Sequence, residues 1–388
     1  MQLVWYSHQP PAHISVSSDG RYVISTHYGR FLILWDIEKH TQTTLSTKAG
    51  IHSAYFIPDT HYFLWQHVDT HEVYVQSIDG TVDHTLNPGF PVYGHVMTSD
   101  LSHYVASTEN WKLVHHHNDT WKTIKYGDDT EGGSALLLQF SLQNNRLLTA
   151  GHGNNYDISI SRLPTGLGHT RNELYHEEGH YRESSLLNEV VLWDITTQTP
   201  ILKCLGANSK IKQSLSPDGI HIVAGDENGA TYLWNASSGK RTPLQWPWYE
   251  DDEARCSSDF SETIKLESNR SPAPLSVIKK RIARNSKNVA IRFISDQGDF
   301  IRFTEEARYG MLYNISSPCI QKFLYLGLNP HPTTFSVFQS SETIDTAPKA
   351  GILVMGQSRY GKPDGNSTGI IVYKFDTQTK TLKLPFRT

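Results

Sequence analysis

The segment Ser17-Ser18-Asp19-Gly20, followed by Leu34-Trp35-Asp36, sets the pattern for the whole chain. A small polar turn around an Asp precedes two short apolar runs, and the second run ends in an aromatic residue. The clearest second copy is Ser216-Pro217-Asp218-Gly219 with Leu233-Trp234-Asn235, and weaker copies return about every forty residues. The spacing from Asp to Trp is the same in both clear copies. A period in this range predicts a repeat architecture.

Each repeat unit reads as four short strands. In the first unit, Ile14-Ser15-Val16-Ser17 alternates apolar and polar residues, Tyr22-Val23-Ile24 is rich in β-formers, and the run that begins at Phe31 and ends at Trp35 is continuously apolar. The polar run Thr41-Gln42-Thr43-Thr44-Leu45 follows and suits an outer edge strand. The unit is therefore predicted to be a four-stranded antiparallel sheet.

Three segments carry a resemblance to a known family, namely Leu34-Trp35-Asp36, Leu192-Trp193-Asp194 and Ser216-Pro217-Asp218-Gly219. They resemble the WD-repeat family, whose repeats end in Trp-Asp after a similar turn. The resemblance spans nearly the whole chain, although several repeats lack the Gly-His and Asp that typical members hydrogen-bond to a Ser and the Trp. It implies an all-β fold, a β-propeller in which the sheets stack radially.

We predict seven blades within a single domain that spans residues 1–388. The expected blade spans are 13–47, 51–87, 92–126, 134–205, 210–245, 288–326 and 333–386. Two candidates exist for the strand that closes the ring, Gln2-Leu3-Val4-Trp5-Tyr6 and Thr381-Leu382-Lys383-Leu384. The prediction is that one of the two is spare.

Two intervals exceed the period and predict insertions at about 153–188, inside blade 4, and at 246–287, between blades 5 and 6. The first lies between strands of one blade and must be a loop. The second could hide an eighth blade, since Ser257-Ser258-Asp259 imitates the turn, but no aromatic third strand follows it. An insertion is therefore the preferred interpretation.

Composition limits the function classes. The chain has 388 residues, 38% of them hydrophobic, with a net charge of −4 and a pI near 6.6. That balance argues against a surface built for nucleic acid. Cys204, Cys256 and Cys319 form no Cys-x-x-Cys pair, and we expect reduced thiols. No signal peptide or membrane-spanning run is visible, which predicts a cytoplasmic protein, expected to be a monomer.

The sharpest chemical motif is His176-Glu177-Glu178-Gly179-His180, which formally satisfies H-E-x-x-H. On a helix this pattern binds Zn²⁺, with the Glu as general base, and His169 would be a third ligand. Gly179 and the polar surroundings of the insertion disfavour that helix. We therefore predict a solvated loop, with no catalytic residue and no cofactor, and keep His176, His180 and His169 as weak metal candidates.

The insertion at 246–287 offers two surfaces. Trp246, Trp248 and Tyr249 could be rigid aromatic anchors for a protein partner, or could fold inward and cap the blade, and capping is slightly favoured. The run Lys279, Lys280 and Arg281 could contact phosphate of nucleic acid or lipid, but solvated or mutually paired charges are the favoured interpretation.

The run His115-His116-His117 ends the third strand of blade 3, where a relative would carry Trp-Asp. Strand alternation sends His115 and His117 to one face and His116 to the other, so the three cannot hold one metal ion. A structural role is favoured over metal binding.

The favoured function is a non-enzymatic scaffold or adaptor that binds one or more proteins, because a propeller presents loops on two faces. The expected contact residues are Tyr175, His176, Arg182, Trp246, Trp248, Tyr249, Lys279, Lys280 and Arg281. The alternative is binding of a small ligand, a metal or phosphate, or an enzyme, at a propeller face or the channel mouth. It requires polar or ionisable residues from different blades to converge there, and the candidates are His152, His176, His180 and Asp226.

Overall fold

The computed structural model describes about three fifths of the chain. The described residues are 5–7, 11–27, 31–46, 50–67, 69–90, 92–108, 113–124, 135–141, 146–152, 188–207, 211–226, 231–244, 288–304, 309–325, 344–357 and 368–383. Within these ranges the regular structure is β-strand throughout, apart from one 3₁₀ turn at Pro348–Ala350. The prediction of an all-β fold is confirmed.

The first strand, β1 (Trp5–Ser7), precedes blade 1. The strands of blades 1 to 3 are β2 (His13–Val16), β3 (Tyr22–His27), β4 (Phe31–Asp36), β5 (Thr41–Ser46), β6 (Ile51–Phe56), β7 (Tyr62–His67), β8 (Val73–Ser77), β9 (Val82–Leu86), β10 (Val92–Met97), β11 (His103–Thr108), β12 (Leu113–His117) and β13 (Thr120–Ile124). The strands of blades 4 to 7 are β14 (Ala135–Ser141), β15 (Arg146–His152), β16 (Asn188–Asp194), β17 (Thr199–Ala207), β18 (Ile211–Leu215), β19 (His221–Asp226), β20 (Thr231–Asn235), β21 (Arg241–Pro243), β22 (Asn288–Phe293), β23 (Asp299–Thr304), β24 (Tyr309–Asn314), β25 (Ser317–Tyr325), β26 (Ile344–Ala347), β27 (Ile352–Gln357), β28 (Thr368–Asp376) and β29 (Thr381–Lys383).

These strands form seven antiparallel sheets that close into a ring. In blades 1 to 6 the four strands pair in chain order, so β2, β6, β10, β14, β18 and β22 are the inner strands. Strand β2 contacts both β6 of blade 2 and β26 of blade 7, which closes the circle. The seven-bladed propeller is thereby confirmed, and the strand bounds of blades 1 to 6 follow the predicted spans within a few residues.

Seven apolar clusters hold the ring together, one between each pair of neighbouring blades. Strand alternation explains why every sheet serves two of them. In blade 1, Val23 and Trp35 pack against blade 7, whereas Ile24 and Leu34 pack against blade 2. No single blade can bury both faces alone, so the core is shared by the whole ring.

Both chain termini complete blade 7, which corrects the expectation that one terminal strand is spare. Strand β1 pairs with the first part of β28, where Trp5 opposes Ile370. Strand β29 pairs with the last part of β28, where Lys383 opposes Lys374. Because β28 runs for nine residues, it provides an edge for both strands. The ring is therefore closed by a strand from each end of the chain.

A turn with the same side-chain hydrogen bond joins the first two strands of blades 1, 3 and 5. In blade 1 the Ser17 hydroxyl donates to Asp19 at 2.6 Å and accepts the Tyr22 N–H at 2.9 Å. The Asp19 carboxylate also accepts the Arg21 N–H at 3.0 Å. Gly20 takes a φ of +72°, which glycine adopts without strain. The side chains of this turn therefore replace the backbone hydrogen bonds that a sharp reversal would lose.

The buried hydrogen bond of a Trp indole, which joins the second and third strands, differs between blades 1, 2 and 4. In blade 1 the Trp35 indole N–H donates to Ser25 at 2.7 Å, and in blade 4 Trp193 donates to Thr149 at 3.0 Å. In blade 2 the order is reversed, because Trp65 lies on the second strand and donates to Gln76 on the third at 2.7 Å. The prediction that the family's hydrogen-bond network is incomplete agrees with this variation.

Some predictions fall outside the described residues, among them both insertions and the possible eighth blade at 246–287. One prediction about cysteine was wrong. Cys319 forms a disulfide, whereas three reduced thiols were expected. Its partner is not among the described side chains.

Candidate functional site

The central channel is lined by polar side chains from five blades. His13, Tyr55, His95, Arg292 and Asp345 lie on the inner strands of blades 1, 2, 3, 6 and 7. We call these five residues the channel cluster. Arg292 and Tyr55 interact electrostatically although their blades are not neighbours in the ring. Both side chains must therefore reach into the channel from opposite sides.

One half of the channel cluster is aromatic. The rings of His13 and Tyr55 meet edge to face with centroids 4.3 Å apart, and Tyr55 meets His95 in the same way at 5.3 Å. These distances are typical of favourable aromatic pairs. His95 also contacts the Tyr104 hydroxyl through Nδ1 at 3.2 Å. Burial lowers the pKa of His95 to about 3, so this imidazole is neutral at physiological pH.

The other half of the channel cluster carries opposite charges. Burial lowers the pKa of Arg292, while Asp345 and Tyr55 act in the opposite direction. Burial raises the pKa of Asp345, and Arg292 opposes that effect. The Arg292 guanidinium donates to the Ile344 carbonyl at 3.2 Å. Because the two charges lie in the same confined space, each reduces the cost of burying the other.

Inner-strand oxygen atoms also join neighbouring blades. Asp345 accepts the Val16 N–H at 2.8 Å, and Ser15 accepts the Phe56 N–H at 3.1 Å. Ser214 accepts the Phe293 N–H at 3.2 Å in the same manner. Each bond crosses from one blade to the backbone of the next. The polar groups around the channel therefore contribute to ring closure as well as to the chemistry of the lining.

A second polar cluster lies on blade 3, where His103, His115 and His117 stack in parallel. We call these three residues the histidine stack. The His103 and His117 rings are 4.0 Å apart at an interplanar angle of 3°, and those of His103 and His115 are 5.0 Å apart at 5°. Nδ1 of His103 and Nε2 of His115 face each other at 2.8 Å, so these two nitrogens share a hydrogen bond and leave no space for an ion between them. The prediction that His115 and His117 share a face is confirmed, while His116 packs on Trp121.

Among the described side chains, no group of three or more His, Cys, Asp or Glu residues has a geometry that could hold a metal ion. The weak metal candidates His169, His176 and His180 lie outside the described residues. In the part of the chain that the structure describes, no helix is long and apolar enough to cross a membrane.

All of the predicted contact residues lie outside the part of the chain that the structure describes. They are Tyr175, His176, Arg182, Trp246, Trp248, Tyr249, Lys279, Lys280 and Arg281. Two of the channel-mouth candidates lie at strand ends, His152 at the end of β15 and Asp226 at the end of β19. His152 is paired with Asn188 of blade 4, and Asp226 is paired with Ile211 of blade 5. Their side chains are not described.

Sequence reasoning missed the channel cluster, although a signal for it exists. Arg292 lies in the apolar run Ala290-Ile291-Arg292-Phe293-Ile294, which begins a predicted blade. A charged residue inside an inner strand indicates a partner of opposite charge or a hydrogen-bond acceptor nearby, because an isolated buried charge is costly. Asp345 and His13 occupy similar positions in their own blades. The ring partner of each residue could not be read from local sequence.

The sheets and their shared apolar clusters define the class of the protein by its fold, a seven-bladed β-propeller. No family model matches the chain, and no curated protein matches it. Many solved structures share the fold, and two of them illustrate the similarity. The β-propeller domain of Cps50 (Swd1) from Myceliophteria thermophila is 12% identical with a TM-score of 0.58, and the match covers 97% of this chain and 100% of that one. KlHsv2, with loop 6CD replaced by a Gly-Ser linker, is 8% identical with a TM-score of 0.54, and the match covers 98% of each chain.

Proposed function

We propose that this chain is a single-domain, non-enzymatic scaffold that binds a partner protein on one face of the propeller. The observation that supports this is the position of the long connections. In each sheet the first and second strands, and the third and fourth, are joined by short turns at one end, which we call the turn face. The remaining connections begin and end at the opposite end, which we call the connection face.

The strands that flank both predicted insertions have their free ends at the connection face. The first follows β15, which ends at His152, and precedes β16, which begins at Asn188. The second follows β21, which ends at Pro243, and precedes β22, which begins at Asn288. Because the strands are antiparallel, all four of these strand ends lie on the same side of the ring. The excess length of the chain is thus concentrated where one partner could contact both insertions.

The test compares capture of a partner by the intact chain and by variants of each insertion. Residues 153–187 and 245–287 are replaced separately by short Gly-Ser linkers, and in a finer variant Trp246, Trp248 and Tyr249 become Ser. A control variant carries Glu38→Ala and Lys39→Ala on an exposed turn of the turn face. We expect loss of the captured protein for at least one connection-face variant and retention for the control, with all variants folded by circular dichroism.

Salt dependence separates an aromatic from a phosphate-binding surface. A contact through Lys279, Lys280 and Arg281 to phosphate should weaken steeply with added salt, whereas one anchored on Trp246 and Trp248 should change little. Capture that survives both linker variants, or that is lost only in the turn-face control, would contradict the proposal.

A second function is favoured by the channel cluster, namely binding of a small polar ligand in the channel. Polar groups from five blades converge there, and Arg292, Tyr55 and Asp345 keep part of their surface accessible. The test measures the thermal shift caused by millimolar phosphate or acetate on the wild type and on Arg292→Met. A shift present in the wild type and lost in the variant supports this function, and equal shifts contradict it.

A further inference from the structure

The histidine stack connects two blades of the ring near the turn face. His115 lies on β12 of blade 3 and is only 3% exposed. One of its ring nitrogens, Nε2, contacts Nδ1 of His103 at 2.8 Å. The other, Nδ1, contacts the amide of Gln198 at 2.9 Å, and Gln198 lies in the turn between β16 and β17 of blade 4. Both nitrogens of one buried imidazole are therefore occupied, and one of the two contacts crosses to the next blade.

These contacts depend on a neutral His115. A neutral imidazole has one donor and one acceptor nitrogen, which matches one contact of each kind. A protonated imidazole has two donors and no acceptor. The amide N–H of Gln198 would then face a donor. Turning the amide over would offer Oε1 to Nδ1, but that neutral acceptor would leave the positive charge of the buried imidazole uncompensated. The proton therefore changes the contact between the blades and not only the charge of one residue.

The charged neighbours also oppose protonation of His115. Four groups lower the pKa of His115 by electrostatic repulsion. They are His116 and His117 on the same strand, His103 on β11 and Lys122 on β13. Among the acids, Asp100 acts on His103 and Asp119 acts on His116. Gln198, the described side chain that reaches His115 from blade 4, has no charge. No described carboxylate therefore compensates a charge on His115 directly.

We propose that the histidine stack is a proton-sensitive clasp, which holds blade 4 to blade 3 near neutral pH and releases their turn-face contact in mildly acidic solution. The direction follows from burial, which is the largest cause and lowers the pKa of His115 to about 4 from an ordinary value of 6.5. A folded-state pKa below the unfolded value means that the stabilisation is complete above pH 6.5. It is lost progressively as the pH falls from 6.5 to about 4.

The first experiment follows the histidine ring signals of the full chain by NMR between pH 8 and pH 4. We expect the His115 ring to titrate near pH 4. His221 supplies the control position for the variants below, because it occupies in blade 5 the same place after the turn as His103 in blade 3. A His115 midpoint at or above pH 6.5 would overturn the proposal.

The second experiment measures amide hydrogen exchange of residues 113–117 and 194–199 at pH 7.5 and pH 4.5, corrected for intrinsic exchange rates. In the wild type we expect exchange to rise roughly tenfold or more in acid, because each unit of pKa difference is a tenfold change in the equilibrium. His115→Gln, which cannot be protonated, should lose most of that rise, and the control His221→Gln should keep it.

A further variant keeps the experiment decisive if His115→Gln folds poorly. Gln198→Ala leaves the stack intact and removes only the contact from blade 4. It should exchange at pH 7.5 nearly as fast as the wild type does at pH 4.5. Equal wild-type exchange at both pH values, or the same rise in His115→Gln as in the wild type, would show that the stack is structural and not proton-sensitive.

Discussion

Blades 1 and 3 share the same first turn but end their third strands differently. In blade 3 the Thr98 hydroxyl donates to Asp100, as Ser17 donates to Asp19 in blade 1. The Thr98 hydroxyl also accepts the N–H of His103, the first residue of the next strand, at 3.0 Å. Where Tyr22 opposes Asp36 in blade 1, His103 opposes His117 in blade 3. The turn therefore fixes the path of the chain, whereas the Trp-Asp at the end of the third strand can be replaced.

The side chains at the position of Trp35 and at the position of its partner Ser25 differ between the two blades. Trp35 is fully buried and donates to Ser25, which also contacts His27 at 2.8 Å. At the two matching positions blade 3 has His116, which is partly exposed, and Ala106. Blade 1 thus depends on one large buried side chain, and blade 3 depends on several smaller contacts distributed over its third and fourth strands.

The largest expected effect comes from truncating the two matching side chains. Trp35→Ala should lower the free energy of unfolding by about 3–5 kcal/mol, since it leaves a cavity between blades 1 and 7 and deprives Ser25 of its donor. His116→Ala should cost less than about 1 kcal/mol, because its side chain is partly exposed. Urea unfolding followed by circular dichroism measures both. Equal costs would mean that the two positions are equivalent after all.

A smaller effect is expected from the glycine of the turn. Gly20 has a φ of +72°, and an added Cβ would lie 2.7 Å from both Ala350 and Ile352 of blade 7. Gly20→Ala should therefore cost about 2–3 kcal/mol, from backbone strain and from the clash. Gly89→Ala is the matched control, because Gly89 has a φ of +76° with nothing within 4 Å. It should cost only about 1 kcal/mol.

The same position in blade 3 provides the contrast. Leu101 follows Asp100 as Gly20 follows Asp19, and it adopts a φ of +59°. Leu101→Gly relieves about 1 kcal/mol of backbone strain but loses apolar contact with the cluster between blades 2 and 3. We expect a net change within about 1 kcal/mol in unfolding experiments. A cost comparable to that of Gly20→Ala would show that packing, and not backbone conformation, governs this turn.

The repeat could be predicted from the sequence because turn chemistry and strand alternation are local. The equal spacing from Asp19 to Trp35 and from Asp218 to Trp234 predicts blades 1 and 5, and both are four-stranded sheets in the structure. Ring closure was harder, since β28 is long enough to pair with strands from both termini and length alone does not reveal this. The channel cluster and the histidine stack could not be predicted, because Arg292 with Tyr55, and His115 with Gln198, meet only after the ring has closed.

The smallest expected effect concerns the shared acidic turn and depends on pH. Asp100 accepts bonds from Thr98 and then from Ser102, and these lower its pKa to about 2 from 3.8. A lowered folded-state pKa stabilises the protein above pH 3.8, and this contribution is lost as the pH falls through 2. Asp100→Asn should therefore unfold at lower urea than the wild type at pH 6, and the difference should disappear near pH 2.

Asp19→Asn should behave in the same way if the two turns are equivalent. Burial of Asp19 raises its pKa, but the bonds from Ser17, Arg21 and His61 outweigh burial and the net pKa is lowered. Asp119→Asn is the control, because Asp119 is exposed and its φ of +57° suits Asn equally well. A pH-independent loss in both turn variants would assign the effect to side-chain shape. A loss in only one of them would break the equivalence of blades 1 and 3 at the turn itself, the part of the repeat in which they agree best.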